Sequence, residues 1–460
     1  MRAVVVGGGP AGMTVALLLG LRGHEVVLVE REQLGGLWAC RLDAEGHYQS
    51  ENSCKVFQPS YTTAPRLFAL LGTRWDEHFV ARHDLRRDWL QPFIAACTWT
   101  DLFKLARAFF ASRLSLRDYR QVSVPDWMAE NGVSEHCQRW MRATALGGIA
   151  GTLRMTMWEL FLRIGTNLGS ILGRRGSALY WNARPPNAEA GFVSAWRRAL
   201  REAGVVMRSG VATVIREATR EQSRVELADG EHVVADAVFL AVPPPALAKL
   251  LSASDATIAR GFGHEPAALP GLLSDSKYEH LGIAWFFSEP LPAELPLGGH
   301  NVRRHWHAIL VQHSQYADHL APGEKAVVVG SVAVDTALVH ERLGKRASDY
   351  TPEALAALLW DDERRVDPCL PEPCRVEVHG LSSATQIVQH GALPVRCATA
   401  PVYLATSLNG QARYFTASLE SAIQAGEAAA VAFDAGASLD VALAARAKEM
   451  PSRRSSLALA

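Results

Sequence analysis

"VVVGGGPAG", residues 4–12, decides how this chain is read. Its three valines close a short apolar run, Ala3–Val6, of the kind a buried parallel strand needs. Gly7, Gly9 and Gly12 follow in the pattern G-x-G-x-x-G, with Pro10 and Ala11 between the last two. Each glycine has its own task. Gly7 permits a tight turn, Gly9 lets backbone approach a pyrophosphate, and Gly12 lets the next helix pack close to the strand. Met13–Leu21 reads as a helix packed all round, and Gly23 suits its left-handed end. Glu25–Val29 is a second apolar strand ending at Glu30, roughly 20 residues past Gly12, the spacing at which an acid meets a ribose hydroxyl. Strand, glycine loop, helix and acid together point to a dinucleotide whose pyrophosphate sits on the helix N-terminus.

The next segment, "EREQLGGLWACR" (residues 30–41), adds Arg31 and then Gly35 and Gly36 a short loop beyond the acid. Acid, short loop and Gly-Gly pair resemble the FAD-binding segment of flavin amine oxidases, phytoene desaturases and protoporphyrinogen oxidases. The resemblance implies that Gly35, Gly36, Leu37 and Trp38 bring backbone against FAD. "KVFQPSYTTAPRLFALLG" (residues 55–72) is similar to the family's x-G-P segment, which would set Phe57, Gln58 and Pro59 near the flavin ring.

The chain returns to the nucleotide twice more. From Phe192 to Leu251 the pattern is a helix, short strands at Val205–Met207 and Val211–Ile215, a hairpin turning at Asp229-Gly230, and a buried strand, Ala237–Val242, stopped by Pro243–Pro245. This order is similar to the family's middle FAD segment and makes Val211 the residue whose backbone meets adenine. From Pro401 to Phe433 a strand, Val402–Ala405, leads through a loop to an alanine-rich helix starting near Thr416. Its Glu420, Gly426, Glu427 and Ala429 resemble the family's closing helix, which places Ser407, Thr416 and Ala417 at the flavin or pyrophosphate. The expected cofactor is therefore FAD, and the expected cofactor set is Gly7, Gly9, Pro10, Ala11, Gly12, Glu30, Arg31, Gly35–Trp38, Phe57–Pro59, Val211, Ser407, Thr416 and Ala417.

Between these segments the character changes. Helical periodicity marks Asp101–Phe110, Val124–Asn131, Glu135–Ala145 and Met155–Arg163, whereas Ile283–Phe287, His305–Val311 and Ala326–Val334 are strand-like. The fold class expected is α/β: a Rossmann-like FAD-binding domain of GR2 type with an inserted α+β substrate domain. Residues 1–75, 190–265 and 395–440 would form the first, 76–189 and 266–394 the second, and 441–460 a tail, disordered from Pro451. "GFGHEP" at Gly261 has Pro266 where a third glycine belongs, so no second nucleotide fingerprint is apparent. His305 and His307 share a strand face, but with no third ligand set by spacing they read as a polar face, and no metal site is expected.

Four departures from the family bear on chemistry. Leu37 and Trp38 stand where Arg commonly follows the Gly-Gly pair, and Gly-Gly-Leu-Trp is instead similar to a loop of flavin-containing monooxygenases. Gly282 aligns with a common lysine, Thr406-Ser407 with Gly-Asp, and Ser418 with a flanking aromatic. Tyr61, Arg413, Tyr414 and Phe415 lie nearest the expected flavin face, without a clear catalytic residue among them. The reading is an FAD-dependent oxidoreductase taking hydride from a C–H bond of a largely apolar or aromatic organic substrate, with O2 or another acceptor reoxidising the flavin. The alternatives are a flavin monooxygenase or redox-neutral isomerase, and a catalytically silent flavoprotein.

Composition agrees with a soluble enzyme. In 460 residues, 47 Lys and Arg balance 47 Asp and Glu, so nothing global steers the chain to nucleic acid. No transmembrane run or leader ahead of the first strand is apparent. The seven cysteines are scattered in sequence without zinc spacing, as reduced cytoplasmic thiols would be.

Overall fold

Five short apolar runs from distant parts of the chain assemble one parallel sheet. In the computed structural model they are β1 (Arg2–Val6), β2 (Glu25–Glu30), β3 (Val206–Ser209), β4 (Ala237–Leu240) and β5 (Val402–Leu404), in spatial order β5-β4-β1-β2-β3. The structure describes residues 1–53, 55–141, 156–172, 176–217, 221–275, 277–292, 295–296, 306, 308–334, 339–385, 393–413 and 418–449. Parallel pairing is in register from Ala3 opposite Ala237 on one side and Val26 on the other. Both faces of β1 are covered, which explains why it reads as continuous valine rather than alternating.

Helix α1 (Pro10–Leu21) follows β1, and every residue from Pro10 to Leu19 is buried. It packs against α2 (Leu419–Phe433), whose N-cap is Ser418; its side chain accepts from the Ser421 N–H. The helix thus starts beyond the expected Thr416, and residues 414–417 lie outside the described residues. A three-stranded antiparallel meander, Ala212–Glu217, Ser223–Leu227 and His232–Ala235, joins β3 to β4. Its second turn carries Gly230 at φ +85°, as the Asp-Gly pair implied.

A four-stranded antiparallel sheet runs in the order Ala308–Gln312, Ala326–Ala333, Lys277–Phe287, Arg375–Thr385. Helix Pro352–Val366 covers one face through Leu355, Leu359 and Trp360 against Trp285. The opposite face meets Cys40, Tyr48 and Trp181. The helical insertion has its own core of Leu105, Trp127, Met128, Cys137, Leu160 and Phe161. Asp101 ties it together by accepting from the N–H and hydroxyl of both Thr98 and Ser134, the N-cap residues of two helices.

Several expectations change. Cysteines scattered in sequence are not all scattered in space, for Cys97 and Cys137 bring their Sγ atoms to 3.0 Å. The strand expected from His305 runs Ala308–Gln312, and His300, His305 and His307 lie outside the described residues. The helix expected over 135–145 is Glu135–Trp140, while 142–155 lies outside them too. The tail expected from 441 begins inside a helix, Leu439–Glu449, because its first turn has a core to join. Leu439 is buried, Arg66 pairs with Asp440, and Arg446 donates to the Leu70 carbonyl. Residues from 450 on are outside the described residues.

One contact joins the two ends of the nucleotide-type domain. The carboxylate of Glu420, itself 1% exposed, accepts from the N–H groups of Thr62, Thr63 and Ala64 and from the Thr62 hydroxyl. It thereby caps the helix Thr63–Leu70, whose own N-cap side chain makes no cap bond. Replacing Glu420 by Ala leaves the buried Thr63 and Ala64 N–H groups without their acceptor. It is expected to cost about 3 kcal/mol, with Gln recovering part of it. Urea unfolding of both variants measures this.

Candidate active site

The carboxyl ends of β5, β4 and β1 lie side by side, since the Ala405 N–H donates to Leu240 and the Ala241 N–H to Val6. In open α/β sheets ligands bind in the crevice outside these carboxyl ends. The glycine loop lies there. Gly7 has φ +107°, and a Cβ on Gly12 would fall 1.9 Å from the Gly7 carbonyl oxygen, so loop and helix meet only because both are glycine. A Cβ on Gly9 would meet nothing within 4 Å, so this is the open side of the loop. Gly9 is also the N-cap of α1 and brings no capping side chain. The first-turn N–H groups therefore face the crevice with helix-dipole polarity suited to an anion.

Gly8 locks the neighbouring parts. Its N–H donates to Glu30 Oε2 at 2.6 Å, and its carbonyl accepts from the Gly35 N–H at 2.8 Å. Glu30 Oε1 accepts from the Glu32 N–H at 2.9 Å. Gly35 and Gly36 both have positive φ, +109° and +53°, and a Cβ on Gly36 would come within 3.0 Å of Gly9 Cα. Acid, glycine loop and Gly-Gly turn are thus one assembly. Beside Glu30, the Gly210 N–H donates to its backbone carbonyl at 3.0 Å, which puts Val211, 41% exposed, next to the acid at the sheet edge.

Other expected positions fall as follows. Pro10 and Ala11 form the buried first turn of α1, and the exposed Arg31 pairs with Glu32. Leu37 and Trp38 continue the Gly36 turn and are half-buried. Phe57 is fully buried, 5.2 Å from Trp38 and 4.2 Å from Phe79 between ring centroids, so its ring belongs to an aromatic core. Gln58 and Pro59 are buried beside it, and Gln58 Oε1 has no hydrogen-bond partner among the described residues. Tyr61 is buried 6.5 Å from Phe57. Ser407 is buried in the turn after β5. Arg413 is exposed, with its N–H on Gln424. Tyr414, Phe415, Thr416 and Ala417 lie outside the described residues.

Gly282 has a steric explanation. A Cβ there would stand 2.4 Å from the carbonyl oxygens of both Glu51 and Asn52. The strand crosses that backbone so closely that no lysine fits. A lysine does reach this neighbourhood from another segment. Lys55 is 5% exposed and donates to the carbonyl and hydroxyl of Ser53. Its Nζ lies 3.9 Å from Glu51 and 5.9 Å from the Trp38 ring centroid. Asn52 leans toward the Gly36 carbonyl at 3.5 Å, so this group borders the Gly-Gly turn.

Sequence reasoning missed the cluster around Glu51. Glu51 is fully buried and accepts from the Tyr48 hydroxyl at 3.3 Å, and His313 Nε2 lies 3.9 Å away. Burial lifts the Glu51 carboxyl to about 7, against the pull of the Lys55 ammonium. Burial, aided by Lys55, holds His280 and His313 down to about 3. The only signal in sequence was a charged pair four residues apart, Glu51 and Lys55, which resembles any exposed pair until the sheet covers it.

Residues 5–72 match the family model described as an NAD(P)-binding Rossmann-like domain. No curated protein matches the chain by sequence. Among solved structures, an oxidoreductase from Methanosarcina mazei superposes with a TM-score of 0.61 at 15% identity, covering 92% of this chain and 99% of that one. Cyclohexylamine oxidase from Brevibacterium oxydans gives 0.58 at 13% identity, covering 94% and 98%. Putrescine oxidase bound to putrescine gives 0.61 at 12%, covering 95% and 99%.

Two outcomes test the site's construction. Gly282→Ala is expected to destabilise the protein by about 2–3 kcal/mol, because backbone cannot yield as a side chain could; chemical denaturation reads it. A raised Glu51 pKa means the folded state takes up its proton first. The Glu51 contribution to stability therefore rises as pH falls from above 7 toward the ordinary glutamate value of 4.5, opposite in sign to the contributions of His280 and His313, and Glu51→Gln should lack it. The difference between wild type and variant across that window measures it.

Over nearly its whole length, then, the chain shares the fold of these oxidoreductase and amine oxidase structures, built on a Rossmann-like domain whose glycine loop, acid and Gly-Gly turn meet at the carboxyl edge of the sheet.

Proposed function

We propose that this chain is an FAD-dependent oxidoreductase that removes hydride from a C–H bond of a largely apolar or aromatic organic molecule. The observation that carries the reading is the Gly8 lock, in which one residue's N–H and carbonyl join Glu30 to the Gly-Gly turn while Gly9 stays open. The donor set fits FAD. The glycine loop and the α1 N-terminus would take the pyrophosphate, Glu30 the ribose hydroxyls and the Val211 backbone the adenine. Gly35–Trp38, Phe57–Pro59 and the turn at Ser407, with Thr416 and Ala417, would hold the flavin end.

FAD, when bound, supplies the hydride acceptor. The chain's part is to position, to exclude water and to handle the proton. Trp38 and the aromatic core behind it form an apolar wall. The Glu51–Lys55 pair at the edge of that wall is suited to hold a proton near neutral pH, since its carboxyl titrates at about 7. Gly282 leaves room for Glu51 and Asn52 where a lysine would collide with them.

Flavin released on denaturing the purified protein, and bleaching of the bound flavin without oxygen by a panel of amines and unsaturated apolar compounds, are the expected results. A colourless protein that takes up no FAD would overturn the reading. Glu30→Ala should weaken FAD binding about ten-fold or more, measured by fluorescence titration of the apoprotein.

A further inference from the structure

Helix Trp99–Arg113 forms part of the insertion's outer surface. Its inner side, Asp101, Leu105 and Ala108, is buried in the insertion's core. Its outer side is unlike the rest of the protein surface. Trp99, Phe103, Phe110 and Leu114 are exposed by 86%, 69%, 61% and 67%, and Leu116 in the next turn by 75%. The spacings of the first four place them within about 60° of arc at 100° per residue, one continuous stripe. Among residues whose burial is described, Trp99, Phe103 and Phe110 are the only exposed Trp or Phe. Isolated exposed apolar residues are ordinary, but a row of large ones marks a surface that meets something apolar.

The charge around the stripe says what that something is. Arg107 and Arg113 border it on either side, and Arg117 and Arg120 follow in the adjoining turn, all exposed. The acid among them is Asp118, which sits 4.0 Å from Arg120. Two copies meeting stripe to stripe would bring arginine against arginine, with no carboxylate on the stripe to pair them. No helix among the described residues is long and apolar enough to cross a membrane. A helix that is apolar outward, carries an indole and is fringed by arginine matches the chemistry of the bilayer interface, where rings enter the acyl boundary and guanidinium groups meet lipid phosphates.

We propose that the Trp99–Leu116 stripe docks this protein on the surface of an anionic lipid bilayer, lying flat in the headgroup region. The proposal stands independently of the flavin reading.

Flotation of the full chain with phosphatidylcholine vesicles, with and without phosphatidylglycerol, tests it. The wild type is expected to float with the anionic vesicles and to be released by salt. Arg107→Gln and Arg113→Gln should each weaken binding about five-fold. The triple variant Trp99→Ser/Phe103→Ser/Phe110→Ser should lose it while keeping the circular dichroism and the melting temperature of the parent, since these side chains pack little. A wild type that ignores both kinds of vesicle overturns the proposal, as does a triple variant that floats as well as the wild type. Light scattering that finds a dimer abolished by the triple variant, in a protein indifferent to vesicles, would overturn it in favour of a second copy on the stripe.

Discussion

Gly8 is the residue through which the site is joined. It has no side chain to offer, yet its amide and carbonyl bind the end of β2 to the start of the Gly-Gly turn. Those bonds bring Gly36 against Gly9 and keep Glu30 at the mouth of the crevice. Everything else at the carboxyl edge of the sheet is arranged around that join. The turn after β5 closes one side, and the strand Tyr48–Glu51 leads the buried polar group to the other. Glycine at this density is costly in chain entropy, so the structure that uses it must recover the cost through close approach.

The buried polar group has a different logic. Glu51, Lys55 and His313, with the hydroxyls of Tyr48 and Tyr316, lie between the nucleotide-type domain and the antiparallel sheet. An apolar filling of the same shape would be at least as stable, because removing paired charges from water is expensive. Retaining them next to the Gly-Gly turn favours a chemical task over a structural one. The coincidence with Gly282 strengthens that view. The glycine that leaves one strand without a side chain also lets the backbone carrying Glu51 approach it.

What could be read from sequence divides along a physical line. The glycine loop, Glu30 and the Gly-Gly turn were legible because each is enforced by local sterics. A positive φ or a backbone contact below 3 Å demands glycine wherever it occurs. The parallel strands were legible because burial on both faces removes polar residues from them. The Asp101 clamp, the Cys97–Cys137 contact and the Glu51 group were not, since each depends on segments tens to hundreds of residues apart. The exposed stripe was hidden for the opposite reason. A helix with apolar residues on both sides reads as core, whereas the structure leaves Trp99 86% exposed.

The Glu420 cap carries a consequence for biosynthesis. When residue 400 leaves the ribosome, four of the five parallel strands exist, but the helix at Thr63 still lacks the carboxylate that completes it. The edge strand β5 and the helix packed on α1 are then also still to come. A nascent chain must therefore keep its nucleotide-type domain unfinished until residues 402–433 emerge, and closure of that domain is coupled to their synthesis.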